Sequence, residues 1–457
     1  MIFDFQAMYY SIYNYYLLVF WLFASTMLLK CSKEKDSQTS GGIPLEIESV
    51  ITLGGSKNES GQSVIKTFDG GYAVIGHTQS MDGDIAGKSN ESYDYWVLKF
   101  NILNELEWQK TYGGSDDDRG NDIIQTSDGG YAVIGKSKSG DLDVSENAGY
   151  DDFWMIKLDG NGSILWEYSF GYAGSDVPYS VIQTNDNGYL MSGVLDVSAS
   201  NGQGDRVSSS QRRHAGGDYW VIKLNANGIK EWSNYYGGSF TDTAYDAIQT
   251  EDNGYIIVGS SDSNDVDVAN NKGSYDFWVI KISNTGDLVW EKSFGGSEID
   301  EARAISNTAD GNYLVVGDTR SANIDVSQNR GAADLWMIKI NSEGSLIWEK
   351  TLGGTSFDVG RSVSKTQDNG FLIAGSSRSS DGDLSSNKGQ NDALILKINS
   401  SGDLEWQKTI GGSEVDFFYG AAKLTDGSVV AVGDTNSSNG DITENKGFTD
   451  LLILKAK

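Results

Sequence analysis

A glycine step, Gly-Gly in six copies and Gly171-Tyr172 in the third, recurs along this chain with its first glycine at 54, 113, 171, 237, 295, 353 and 411, so that successive copies lie 59, 58, 66, 58, 58 and 58 residues apart. Self-similarity at such a period means that each unit is one supersecondary element unable to bury its apolar face alone, and the chain is a solenoid, a propeller or an array. Within a unit the glycines are followed by a segment such as "TAYDAIQT", then "DNGY", then "IIVGSS". Asn-Gly or Asp-Gly between alternating apolar runs is a hairpin signal, because such turns need positive φ. A longer loop rich in Asp, Asn and Ser leads to "DFWVIKI", the turn "SNTG" and "LVWEKSF", which is a second hairpin. Four short antiparallel strands per unit, with Trp and Tyr to pack between sheets, describe a propeller blade.

The two ends decide between a ring and a line. The last unit, from Gly411 to Lys457, has 47 residues against the usual 58 and lacks a fourth strand. The stretch "LEIESVITLGG" at 45–55 stands before the first unit and supplies that strand. The expectation is an all-β, seven-bladed β-propeller of four-stranded antiparallel blades over 45–457, a monomeric ring closed by its N-terminal strand, with no sheet edge left free.

Composition narrows the partners. A net charge of −29 repels nucleic acid and anionic membrane surfaces. The single cysteine, Cys31, allows neither an intrachain disulfide nor a Cys-based zinc site. Only His77 and His214 are available for histidine chemistry, and neither sits in a familiar motif.

Residues 1–30 read as a signal peptide or membrane anchor: Ala7 to Leu29 carries no charge and contains "YYLLVFWLFASTMLL". An apolar run ending at a lone cysteine, followed by Lys33, Glu34, Lys35 and Asp36, resembles surface-exported lipoproteins of the Bacteroidota. That resemblance implies lipidation of Cys31, a polar tether over 31–44, and an outer-membrane or cell-surface location reached through the N-terminus only. An uncleaved anchor is the alternative.

The repeats W-x-K-x-[YF]-G-G-S, D-G-G-Y and D-x-W-x-x-K make 45–457 similar to a family of repeat proteins on bacterial and archaeal surfaces, often labelled bulb-type-lectin-like or endoglucanase-like. The resemblance implies the propeller fold and a carbohydrate-binding or lectin-like role.

Three sets of residues are candidates for chemistry. Five residues past each first glycine stands an acid: Glu59, Asp118, Asp176, Asp242, Asp300, Asp358 and Asp416. The long loop of five units adds Asp141 and Asp143, Asp265 and Asp267, Asp325, Asp381 and Asp383, or Asp441, each followed by an Asn, a Gly and a further Asp. Such groups either accept backbone N–H bonds as turn residues or bind Ca²⁺ through hard oxygens. The regular Trp positions point to packing between blades, with a glycan platform as the alternative. The third set breaks the symmetry: the loop of unit three is eight residues longer and brings in Arg206, Arg212, Arg213 and His214, either a tolerated insertion or donors for a carboxylate or sulfate ligand. The expected function is a tethered, non-catalytic propeller binding a glycan or a surface protein. A polysaccharide-active enzyme and a structural element of a surface assembly are the alternatives.

Overall fold

Alternating apolar runs punctuated by Gly turns pair with their sequence neighbours into seven four-stranded antiparallel sheets. The structure is a computed structural model that describes residues 45–204 and 214–457. The leader, Cys31 and the tether lie outside the described residues. In the first blade the strands Glu59–Lys66, Tyr72–Thr78, Asp94–Phe100 and Leu106–Tyr112 follow in order. The first strands of neighbouring blades touch one another all the way round, which makes them the innermost strands about a central channel. In the last blade the strand Ile47–Leu53 occupies the outer position beside Asp450–Ala456, in register from Ile51↔Ile453 to Leu53↔Leu451. The backbone bond that joins adjacent blades elsewhere, Asp300 N–H to Tyr275 O at 2.7 Å, recurs across the closure as Glu59 N–H to Thr449 O at 2.8 Å. The ring is closed as the deficit in the last unit requires.

Antiparallel succession puts two tight turns of each blade on one face. The loop between the second and third strands and the link to the next blade lie on the other, hereafter the long-loop face. On the turn face each "DGG" or "DNG" turn is held by its own aspartate, as where Asp128 Oδ1 accepts the Gly130 N–H at 3.0 Å. The lysine of D-x-W-x-x-K reaches this turn: Lys157 Nζ lies 2.9 Å from Asp128 Oδ2 and donates to Leu158 O at 3.0 Å.

The core lies between blades. Third-strand Trp96, Trp154, Trp220, Trp278 and Trp336 are almost wholly buried. Tyr95 packs on Trp154 of the next blade with ring centroids 4.7 Å apart and donates its hydroxyl to Trp154 O at 3.1 Å. Fourth-strand Trp108 lies edge-on to Tyr131 of the next blade at 5.9 Å, and Trp166 repeats this with Tyr189. Both tryptophan columns act as packing between wedges. One helical turn, α1 (Val197–Ser200), stands in the long loop of the third blade, its N–H at Ala199 capped by Asp196 at 2.9 Å.

Candidate functional site at the mouth of the central channel

The acidic residues of the long-loop face gather round each glycine pair. At Gly353, three successive N–H groups meet three carboxylates: Gly353 donates to Asp383 at 3.3 Å, Gly354 to Asp358 at 2.8 Å and Thr355 to Asp381 at 2.8 Å. Gly113 repeats the pattern with Asp143, Asp118 and Asp141, and Gly237 with Asp267, Asp242 and Asp265. Asp325 and Asp441 accept in the same way from Gly295 and Gly411, at 3.2 and 3.1 Å. Consecutive backbone N–H groups of this kind form an anion-binding concavity, here filled by the protein's own side chains. Their oxygens thus face donors, whereas Ca²⁺ needs six to eight oxygens turned toward one point. Among the described residues, no group of three or more His, Cys, Asp or Glu is placed to hold a metal ion.

Why the first residue of the pair is glycine follows from its neighbours. A Cβ on Gly295 would stand 2.5 Å from Asp276 Oδ1 and 2.6 Å from Asp300 Oδ2. Asp276 opens the third strand, Asp300 the first strand of the next blade, and both are fully buried. Burial, reinforced by Asp300 and Asp325, pushes the Asp276 carboxyl up to about 7 against the opposing pull of the Lys272 N–H. Equivalent burial raises Asp94 to about 6 and Asp242 to about 8.

A cation bridges several of these junctions. Lys272 reaches Asp325 of the next blade at 2.6 Å, Lys388 reaches Asp441 at 2.6 Å, and Lys446 reaches Asp84 across the closure at 2.5 Å. Arg330 does the same with Asp383. His214 stands four residues before Asp218, as Lys272 does before Asp276. Its Nδ1 pairs with Asp218, its Nε2 lies 3.9 Å from Asp267 of the next blade, and its ring meets Tyr235 edge-on. The structure therefore puts His214 in the inter-blade cation position. Arg206, Arg212 and Arg213 lie outside the described residues.

Symmetry breaks elsewhere, on the innermost strands. Every first strand carries a β-bulge at its centre, where one residue is skipped in the pairing. The skipped residues are Gln62, Asn121, Tyr179, Tyr245, Arg303, Arg361 and Tyr419, each eight positions past the first glycine of its unit. Bulges re-aim side chains and recur beside functional sites. Here they make side chains of different blades meet: Tyr179 and Tyr245 lie 5.0 Å apart, and the Arg303 guanidinium sits 4.1 Å over the Tyr245 ring. While the glycine pairs and tryptophans repeat, this column changes chemistry from blade to blade.

On the side of blades five to seven the column opens into a cleft of about 320 Å³ at the long-loop face. Arg303, Arg320, Arg361 and Arg378 line it, four of the chain's nine arginines. Glu301 and Asp318 are its carboxylates. Among the described residues, Arg303 alone of the four is paired at contact, to Glu301 at 2.8 Å. The Nε atoms of Arg303 and Arg361 are buried without an acceptor. Burial pushes Asp318 up to about 6, an effect that Arg303 opposes. Phe357 lies 5.3 Å from the Arg378 guanidinium and 6.0 Å from that of Arg320, and Phe417 completes an apolar wall. The four arginines escaped sequence reasoning, which sought asymmetry in loop length. For Arg303 and Arg361 the signal is the variable column of the repeat.

A closed ring of seven four-stranded blades, with its inner strands bulged about a channel, defines a seven-bladed β-propeller. No known family profile matches the chain. A curated protein similar to it is the regulatory protein FlaEY of Caulobacter vibrioides, 23% identical over 337 residues, which cover 66% of this chain and 34% of that protein. The chain thus spans about a third of the length of that relative. Solved structures similar to it include Sqt1 from Chaetomium thermophilum, at 10% identity, 89% and 99% coverage of the two chains and a TM-score of 0.46. The WD40 domain of Neurospora crassa Pan2 gives 8%, 89% and 95%, and 0.47. A gluconolactonase from Xanthomonas campestris gives 8%, 91% and 96%, and 0.38.

Proposed function

We propose that this protein is a surface-tethered, non-catalytic propeller that binds a glycan or protein partner at the long-loop mouth of its channel. The observation that carries this reading is the bulge column, in which the repeat keeps its backbone and discards its sevenfold chemistry. The buried acids at the junctions are engaged in holding Gly-Gly turns, which speaks for architecture rather than for a carboxylate pair poised across a glycosidic bond. The strand Ile47–Leu53 enters the ring from the turn face, opposite the mouth. The resemblance of the first residues to lipoprotein signals supports lipidation at Cys31 and residence at the cell envelope.

The test combines location and turnover. Full-length protein expressed in a Bacteroidota host should partition into detergent, and Cys31→Ala should release it or leave it unprocessed. Oligosaccharides retained on the purified protein should be recovered unchanged after prolonged incubation. New reducing ends would overturn the non-catalytic reading in favour of a polysaccharide-active enzyme.

A further inference from the structure

We infer that the arginine cleft between blades five and seven is a subsite for a single oxyanion group, a carboxylate or sulfate, carried by a sugar residue at the end of a glycan. The inference rests on the binding function proposed above and names its ligand class.

Three features argue for an anion. Four arginines face two carboxylates in the cleft, which leaves two positive charges unmatched in a chain of net charge −29. Arg361 makes no hydrogen bond or ion pair among the described residues, and its Nε is buried with no acceptor. Its buried Nε fixes the guanidinium in the cleft wall, and its terminal N–H groups, which meet no protein acceptor among the described residues, are left to donate side by side to an oxyanion in the cleft. The rigid inner strand holds Arg303 and Arg361 at equivalent bulges of adjacent blades, so the two forks are fixed by backbone and not by loop conformation.

Size and lining select the carrier. A space of about 320 Å³ lies at the low end for small-molecule sites, enough for about one sugar ring. Phe357, Phe417 and Val359 give the cleft an apolar side against which the C–H surface of such a ring can rest, and Ser376 adds a hydroxyl to its lining. The overall negative charge repels a long polyanion, so the ligand brings one charged residue into the cleft, and the rest of the glycan is neutral.

Isothermal titration of the full chain in detergent with galacturonate, galactose 6-sulfate and galactose separates the sources of the oxyanion. At least one acidic sugar should bind, with galactose at least tenfold weaker. Arg361→Gln should weaken that binding at least tenfold. Arg320→Gln, at an exposed position that leaves folding intact, should also weaken it severalfold. Acidic-sugar binding that neither variant alters would overturn the subsite and leave the binding function standing. Binding of galactose equal to that of the acids would overturn the ligand class. An acidic peptide that binds in an arginine-dependent way, where all three sugars fail, would overturn the glycan carrier in favour of a protein partner. Absence of binding by every probe would overturn the inference, and the location and turnover tests would still stand for the broader function.

Discussion

Replacing Asp276 by Asn should make the ring less sensitive to pH. Asp276 and Asp300 flank Gly295 in a buried junction, and the Asp276 carboxyl is pushed up to about 7 by burial and then by Asp300 and Asp325, with Lys272 opposing. The unfolded chain holds such a group at 3.8. A folded value above the unfolded one means that the native state binds the proton more tightly. Its stabilisation is complete below pH 3.8 and is lost as pH rises through about 7. One proton contributes a slope of about −1.4 kcal/mol per pH unit between the two values, which amounts to roughly 2.6 kcal/mol between pH 8 and pH 5. With an unfolding entropy of about 2 cal/mol/K per residue over ~400 residues, that is a shift in Tm of about 3–4 °C. Asn mimics the protonated acid: its Oδ1 can accept the Lys272 N–H that Asp276 accepts at 2.8 Å, and its amide can donate toward Asp300. Differential scanning calorimetry from pH 8 to pH 5 should show Asp276→Asn more stable than the parent at pH 8, with the advantage shrinking by about 3–4 °C at pH 5. The difference between the two proteins is the measure, because the −29 charge also relaxes on acidification in both. A constant difference across that range would refute the raised Asp276 carboxyl.

Acid should also reveal the opposite face. Burial pulls Asp128 up, but Thr126 and Lys157 outweigh it and hold the carboxyl at about 2, while Lys281 and Thr250 hold Asp252 there. Stability from these turns is present above 3.8 and lost as pH falls toward about 2, so the parent's Tm should turn downward below pH 3.8; a continued rise to pH 2.5 would contradict it. Deleting residues 45–53 should expose the edge of Asp450–Ala456 and lower the Tm sharply or cause aggregation on size-exclusion chromatography; a variant as stable as the parent would contradict closure. Millimolar Ca²⁺ should raise the Tm no more than Mg²⁺ of equal ionic strength, because Asp381 and Asp383 already accept N–H bonds; a Ca²⁺-selective rise removed by Asp383→Ala would restore a built site.

The fold was legible because its punctuation is local. Asp-Gly turns, the tryptophan columns and the missing last strand are visible in one dimension, and each matches its place in the ring. The acidic loops were only half legible. Asp381 and Asp383 read as turn residues with cation ligands as the alternative, because their donors at Gly353 and Thr355 stand 30 and 26 residues away. His214 read as part of a basic insertion, whereas its spacing to Asp218 makes it the counterpart of Lys272. The bulge column was hidden for a different reason. Skipping one residue in the pairing turns that side chain out of the strand's alternation, so Arg303 and Arg361 fall on no face that a period of two foretells.

The strand Ile47–Leu53 has a further consequence, in time rather than in space. Six blades are hairpins of neighbouring sequence and can form as the chain emerges, but the seventh pairs Leu53 with Leu451. Loop closure grows only logarithmically in cost with separation, so this pairing is slow to find and not dear to keep. Until it forms, Asp450–Ala456 is an unpaired edge, and once formed it is a clasp whose residues are mostly half-buried, less covered than the strand they grip. Opening of this clasp would free the edge of Asp450–Ala456, so a protease that nicks it should convert a closed molecule into one that can unwind blade by blade.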